Sequence, residues 1–240
     1  GLTKQILNKG VKIFENTPVL RINENKENIE VSTQFSKIYA KKVVVSCNGY
    51  LDNLLGGVAR NFMPINNYVI ATEPLGEKKA RELIKNNYAF IDSRFMIDYY
   101  RFSEDWRLIF GGPETISSKF FHDSASFVSK RMFKVFPQMK DCKIDFSWGG
   151  TLAISVNRLP NFGVKMKERL FYGHAYSGHG LGLSVLGGKL IAEKIEGNSE
   201  KFDHFSKIKH FKIPGGNFLR RPIYSSAIIY YRFMDLVNKL

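Results

Sequence analysis

The feature that most constrains this chain is the run "RLFYGHAYSGHGLGLSVLGGKLIAEKIEG", residues 169–197. An apolar strand pattern, "RLFYGHAYS", meets a glycine-rich turn, "SGHG", and passes straight into an apolar helix pattern that starts near Leu181. Strand, glycine turn and helix in that order belong to α/β architectures. Gly182, Gly187 and Gly188 fall inside the helix pattern. Each costs about 0.5–1 kcal/mol relative to alanine. A close approach by a ligand or by another backbone would offset that cost. A helix N-terminus carries roughly half a positive charge and free N–H groups, so the turn suits an anion or a group that becomes negative during reaction. A simple tight turn at Gly178 and Gly180 is the plainer alternative, and His179 alone carries no catalytic argument.

The rest of the chain fits an α/β reading. "GLTKQILNKG" looks like the last turns of a helix closed by Gly10, and a start inside a helix without an initiator Met reads as a fragment. The runs "VKIFENTPVLRIN", "NIEVST" and "KIYAKKVVVSCNG" are strand-like, with a turn at "NENKEN". "KKVVVSCNG" is continuously apolar, the pattern of a parallel strand buried on both faces. "NNYVIATEPL" alternates as a strand, "EKKARELIKNN" is amphipathic, and "FMIDYYRF" and "RLIFGGPE" form a hairpin through "SEDW". "DSASFVSKRMFKVFP" is a helix with Asp123 or Ser124 as N-cap and Pro137 as its stop. "KIDFSWGGTLAIS" is a strand, and the last segment, "YSSAIIYYRFMDLVNKL", has near-helical apolar spacing. The expected layout is a strand-rich insert, residues 66–157, within a flanking domain of residues 1–65 and 158–240.

Composition narrows the function classes. At 240 residues, 44% hydrophobic and 24% charged, the chain can bury a core. The net charge of +14 would suit nucleic acid or an anionic surface, but the lysines are scattered and no nucleic-acid signature occurs. A solvated lysine-rich surface is the better reading, and a nucleic-acid partner is not expected. The two cysteines, Cys47 and Cys142, have no metal spacing, and no metal is expected. A reducing, cytoplasmic setting is the default. No apolar run reaches the ~18 residues of a membrane span. Neither a strand-borne G-x-G-x-x-G nor a phosphate-binding P-loop motif is present. In "DYYRF", Tyr99 and Tyr100 face opposite sides of their strand, so only one can line a cavity. Arg158, which opens the Arg158–Gly163 loop, could pair with a phosphate or carboxylate.

These pieces occur together, in this order, in a known family. "GVKIFENTPV", "AKKVVVSCNGY", "YVIATEPLG", "YYRFSEDWRLIFGG", "FSWGGTLAISVNRLPNFG", "YSGHGLGLSVLGGKLIAEKIEG" and "FKIPGGNFLRRP" cover nearly everything from residue 10 onward. The chain resembles the C-terminal part of FAD-dependent amine oxidoreductases of the D-amino-acid oxidase/sarcosine oxidase superfamily, in the subgroup of gamma-glutamylputrescine oxidases.

The resemblance implies a mixed α/β fold: a partial FAD-binding Rossmann-like domain interrupted by an antiparallel or mixed β-sheet substrate domain with flanking helices. It implies that Val19 meets the adenine through its backbone and that Cys47, Asn48 and Gly49 turn beside the ADP moiety. Ser177, Gly178, His179, Gly180 and Leu181 would cradle the flavin ring, with Arg158, Pro160 and Gly163 beside the cofactor. Tyr99, Tyr100, Arg101, Trp148 and Gly182 would line the substrate space. The implied chemistry is hydride transfer from an amine to FAD N5, giving an imine and then an aldehyde, with O2 or another electron acceptor as re-oxidant.

Departures from the family pattern refine this. Sarcosine oxidases attach FAD through a cysteine where this chain reads "WGGTLA", so non-covalent FAD is expected. Ala175 replaces a family glycine, a mild change. Amino-acid-oxidising members place a Lys or Arg at the position of Gly182, and glycine oxidases place an arginine in the segment "GGTLA". Both cations are missing, which favours an amine or polyamine derivative over a free α-amino acid, with Arg101 as a possible compensating cation. The alternatives are a glycine or D-amino-acid dehydrogenase of the same superfamily, and a non-catalytic basic binding domain on a flavoprotein scaffold.

Overall fold

The structure, a computed structural model, describes residues 1–94, 96–115 and 120–214 and isolated positions between 219 and 237. The chain opens with α1 (Leu2–Asn8), followed by Gly10 at φ 78°. Strands β1 (Val19–Glu24), β2 (Ile29–Thr33) and β3 (Lys37–Ala40) form an antiparallel meander. The first strand is shorter than the sequence suggests. Asn16 turns the backbone at φ 51°, and Pro18 has no N–H to give to a ladder.

Then come β4 (Val43–Val45), β5 (Phe62–Thr72), α2 (Glu77–Leu83), β6 (Phe90–Ile91), β7 (Tyr99–Phe102) and β8 (Leu108–Thr115). Helix α3 (Ser124–Val135) starts at Asp123, whose carboxylate accepts the Ser126 N–H at 3.0 Å, and Pro137 follows its end. This selects Asp123 over Ser124 as the cap. Strands β9 (Ile144–Ser155), β10 (Asn161–Lys165) and β11 (Leu170–His174) lead to α4 (Gly180–Ile195) and α5 (Glu200–Ser206). The expected helix over 224–240 lies largely outside the described residues. Its described positions, Ser225, Ser226, Ile229, Tyr230, Phe233, Met234 and Val237, are helical.

Five strands form one antiparallel sheet in the order β6-β7-β8-β5-β9. Tyr68, Ile70, Phe102, Leu108 and Phe110 point from it toward Val128 and Met132 of α3 and toward Met139, all fully or almost fully buried. Each large apolar side chain buried there contributes about 1.5–3 kcal/mol. Near its end, β8 holds one extra residue: Val69 pairs with Gly111, but Asn67 pairs with Glu114. Such a bulge re-aims the residues beyond it.

The second sheet has the order β10-β11-β4, with β4 parallel to β11 and β10 antiparallel to it. Helices α4 and α5 cover it through Phe162, Phe171, Leu190, Ile191 and Phe202. The expectation that β4 is buried on both faces holds only in part. Val45 is buried, whereas Val44 is 46% exposed and opens into a cleft of about 240 Å³ shared with Ser184, Gly188 and Ala192 of α4. A third core joins the meander to this sheet through Ile29, Val31, Val45, Leu51 and Ala175.

Candidate functional site

Strand β9 is the spine on which the two glycine turns meet. After β4 the chain turns through Cys47, Asn48 and Gly49, with Asn48 in the left-handed region at φ 46°. Gly49 lies so close to β9 that a Cβ there would sit 2.5 Å from the Thr151 carbonyl oxygen. Only glycine permits that approach. The next residue, Tyr50, accepts the Thr151 N–H on its hydroxyl at 2.9 Å. Two to four residues further along β9, the second turn is held: the Ser177 N–H donates to the Ala153 carbonyl at 3.0 Å, and the Ser177 hydroxyl lies 3.5 Å from that of Ser155. Ser155 donates in turn to the Leu159 carbonyl at 2.8 Å, which brings the Arg158–Pro160 loop to the same end of the strand.

The second turn carries backbone strain. Ala175, Ser177 and Gly178 all have positive φ, at 60°, 50° and 93°. Non-glycine residues pay about 1–3 kcal/mol for this, and such strain gathers at ligand clamps. Ala175 is therefore more than a mild change from glycine: a fully buried alanine holds a conformation that glycine adopts freely. Helix α4 begins at Gly180 with His179 as N-cap and no capping side chain. Its first-turn N–H groups are left for solvent or a ligand, and Leu181 there is 93% exposed. A Cβ at Gly178 or Gly182 would meet nothing within 4 Å among the described residues, so packing against those residues requires neither glycine. Gly187 differs: a Cβ there would strike the Phe162 ring at 2.8 Å, which explains one of the costly helix glycines by close packing.

A reciprocal pair of hydrogen bonds ties the two turns together. The Asn48 N–H donates to His174 Nδ1 at 3.1 Å, and the Asn48 side-chain oxygen accepts the Ala175 N–H at 3.1 Å. His174 is fully buried and stacks on Tyr172 at 5.7 Å. Burial lowers its pKa to about 4. Its ring is thus neutral at pH 7, and because Nδ1 accepts, Nε2 carries the proton. That Nε2 and the Asn161 Nδ2, on facing positions of β11 and β10, have no hydrogen-bond partner among the described residues.

The half-exposed face of the five-stranded sheet, opposite α3, forms the second part of the site. The Tyr99 ring lies across Gly111, where a Cβ would come within 2.5 Å of it, and its hydroxyl donates to Asn67 Oδ1 at 2.6 Å. Burial, with a smaller contribution from the Glu114 charge, pushes the Tyr99 pKa up to about 12. Trp148, paired with Val69, shares this face and is 47% exposed, and Gly150 pairs with Asn67. Tyr100 points the other way. It stacks between Phe90 and Phe110 at 5.5 and 5.6 Å and meets Phe136 edge-on, within the core under α3. Arg101 is exposed, with its Nε bound to the Phe102 carbonyl at 3.1 Å.

The structure thus gathers Cys47, Asn48, Gly49, Arg158, Pro160 and Ser177 to Leu181 along the Thr151–Ser155 end of β9, with Trp148 earlier on that strand and Tyr99 on β7 of the same sheet. Arg158 is exposed at φ 57°, and Pro160 is buried. Gly163 lies within β10, where the Tyr172 hydroxyl fills the space of a Cβ. Val19 opens β1, whose sheet shares a core with Val45 and Ala175. Sequence reasoning missed His174, Asn67, Glu114 and Tyr50. His174 had a signal, its position at the end of the strand entering the turn. The bulge hides the facing of Glu114. Among the described residues, no group of three or more His, Cys, Asp or Glu could hold a metal ion, and no helix is long and apolar enough to cross a membrane.

Comparison with known proteins agrees with this geometry. The family model described as "FAD dependent oxidoreductase" (DAO) matches residues 1–194. The chain is 34% identical over 239 residues to the probable oxidoreductase OrdL of Haemophilus influenzae, covering 98% of this chain and 54% of that protein. It is 36% identical over 227 residues to the gamma-glutamylputrescine oxidoreductase of Escherichia coli, covering 94% of this chain and 53% of that one. It spans about half the length of the curated relatives it matches. Among solved structures, glycine oxidase from Geobacillus kaustophilus superposes with a TM-score of 0.69 at 19% identity, over 84% of this chain and 54% of that chain. L-proline dehydrogenase from P. horikoshii gives 0.64 at 21%, over 88% and 55%. These two show the shared fold. Glycine turns braced on one strand, an uncapped helix start and a sheet face beside them fit a cofactor with an anionic ring edge, and the match over most of the chain names it: this chain belongs to the FAD-dependent oxidoreductases of the DAO family.

Proposed function

We propose that the protein oxidises an amine that lacks a strongly anchored α-carboxylate, a gamma-glutamylputrescine-like compound being the leading class, with FAD bound non-covalently. In this reading residues 66–157 form the substrate domain, and residues 1–65 and 158–240 belong to the cofactor domain. The observation that carries the substrate class is Gly182. At the position where the resemblance puts a carboxylate-binding cation, the first turn of α4 holds a residue with no side chain, and a Cβ there would meet nothing within 4 Å among the described residues. The 36% identity to gamma-glutamylputrescine oxidoreductase over nearly the whole chain supports it.

FAD, when bound, supplies a two-electron acceptor that passes the electrons on to O2 or another acceptor. The chain's own residues supply orientation and electrostatics. The N–H groups of Gly180, Leu181 and Gly182 and the positive end of α4 favour negative charge beside them. Asn48, Gly49 and Ser177, braced on β9, hold the two turns at fixed separation. The phenol of Tyr99 keeps its proton through the neutral range and stays anchored to Asn67. A covalent link to either cysteine is disfavoured, because burial raises both thiol pKa values and so holds them as thiols.

The test is a turnover assay on the full-length flavoprotein with gamma-glutamylputrescine, putrescine, glycine and D-alanine, reading aldehyde, keto acid and peroxide. Aldehyde from the putrescine compounds at the higher kcat/KM is expected, with FAD released by denaturation. Faster turnover of glycine or D-alanine overturns the amine reading. Purified protein without flavin overturns the whole proposal.

A further inference from the structure

One buried side chain at the seam of the two turns is costly where it stands. His174 ends β11, whose first residues, Leu170 and Phe171, are apolar and buried. The imidazole is fully buried as well, and its Nε2 has no hydrogen-bond partner among the described residues. A buried polar atom without a partner destabilises a fold, and an apolar side chain would avoid it. What the imidazole contributes is its other nitrogen.

Nδ1 accepts the Asn48 N–H at 3.1 Å. Asn48 stands in the left-handed region at φ 46°, and its N–H turns to β11. The Asn48 side chain then reaches the next residue, where its oxygen accepts the Ala175 N–H at 3.1 Å. One residue of the first turn thus grips two consecutive residues leading into the second. Ala175 is the residue that needs the grip, because it is buried, carries a Cβ and holds φ 60°. Such a conformation persists only where its surroundings over-determine it. Five residues later α4 opens at Gly180.

His174 has no exposed surface, so it does not touch a cofactor at the turns. Its influence runs through Asn48. Tyr172 stacks on the ring at 5.7 Å, Phe62 of β5 lies 6.0 Å away, and Asn161 of β10 faces it. These neighbours hold the ring with Nδ1 toward the first turn.

We propose that His174 is a positioning residue for the cofactor: by holding Asn48 it keeps the Cys47–Gly49 turn and the Ser177–Gly180 turn at the separation FAD requires, before FAD arrives. This rests on the placement of FAD at the two turns and adds to it what sets their spacing. Turns that are ordered in advance bind more tightly than turns that must be ordered by the ligand.

The experiment uses the full-length protein, stripped of flavin and titrated with FAD, with binding read from the quenching of flavin fluorescence. His174→Leu removes the acceptor and should weaken FAD by about threefold to tenfold, the worth of one neutral hydrogen bond. His174→Asn, whose amide oxygen stands where Nδ1 stands, should bind FAD more tightly than His174→Leu. Met132→Ala opens a cavity beneath α3, on the far side of the five-stranded sheet. It destabilises the chain away from the turns and should weaken FAD less than His174→Leu does. A loss smaller than about threefold in His174→Leu overturns the inference. Equal affinity in His174→Leu and His174→Asn overturns it too, as does a Met132→Ala variant that weakens FAD as much as His174→Leu. If His174→Leu does not fold, hydrogen exchange in the flavin-free wild type decides. Slow exchange of the Asn48 and Ala175 N–H groups supports a clasp formed in advance, and exchange at the rate of a free turn overturns it. If the wild type binds FAD and the variants bind it equally well, only this inference falls. If the wild type binds no FAD, the placement of the cofactor falls with it.

Discussion

His174 offers the sharpest test of the link between the two turns. Its imidazole accepts the Asn48 N–H on Nδ1 and lies fully buried. Burial lowers its pKa from 6.5 to about 4. Between those values the unfolded chain binds a proton at this residue and the folded chain does not. Stability therefore rises with pH across the window, is fully present above about pH 6.5, and is lost as pH falls toward 4. At about 1.4 kcal/mol per pKa unit, the loss amounts to about 3 kcal/mol. The replacement His174→Gln removes the titration but keeps a side-chain acceptor for Asn48. His174→Leu removes both and leaves a buried N–H unpaired, at a cost of about 1–3 kcal/mol at pH 7. Urea unfolding followed by circular dichroism from pH 7.5 to 4 measures all three proteins. The wild-type curve should fall more steeply than the Gln curve between pH 6.5 and 4. At pH 7.5 the Gln variant should be the more stable of the two variants. Burial lowers the His210 pKa as well, but that contribution is common to all three and cancels in the difference. Superimposed wild-type and Gln profiles would refute the assignment of a neutral, hydrogen-bonded His174.

Two further substitutions probe the frame. Gly49→Ala drives a Cβ to 2.5 Å from the Thr151 carbonyl oxygen, so it should cost about 1–3 kcal/mol and lower the melting temperature by several degrees; an unchanged melting temperature rejects the close approach of turn and strand. Asp98 is 1% exposed and ion-paired with Arg94 and Arg131, the latter at 2.8 Å. Asp98→Asn should cost about 3–5 kcal/mol in urea unfolding, and a loss below about 1 kcal/mol shows that the network is not holding the loop before β7.

Period and punctuation made much of the fold legible. Asp123 and Pro137 bracket α3, the "SEDW" hairpin joins β7 to β8, and the strand before "SGHG" is β11. What stayed hidden depends on partners distant in sequence. Val44 reads as core from its apolar neighbours, yet it stays 46% exposed in the cleft beside α4. Tyr99 and Tyr100 were separable only as a pair, because alternation says that they part but not which way the sheet faces. Of the candidate site, the glycine turns were visible because backbone geometry restricts residue type. His174 and Asn48 were not read as a bonded pair, since their hydrogen bond spans 126 positions of sequence.

The bulge on β8 decides which face of the sheet receives Glu114. In a regular ladder of the same length, without the bulge, Pro113 would stand opposite Asn67 and Glu114 opposite Asn66, with its carboxylate on the face under α3 that carries Tyr68 and Phe127. The face on which residue 114 stands is therefore set by the bulge. Deleting Gly112 or Pro113 would remove the bulge and still leave Glu114 opposite Asn67.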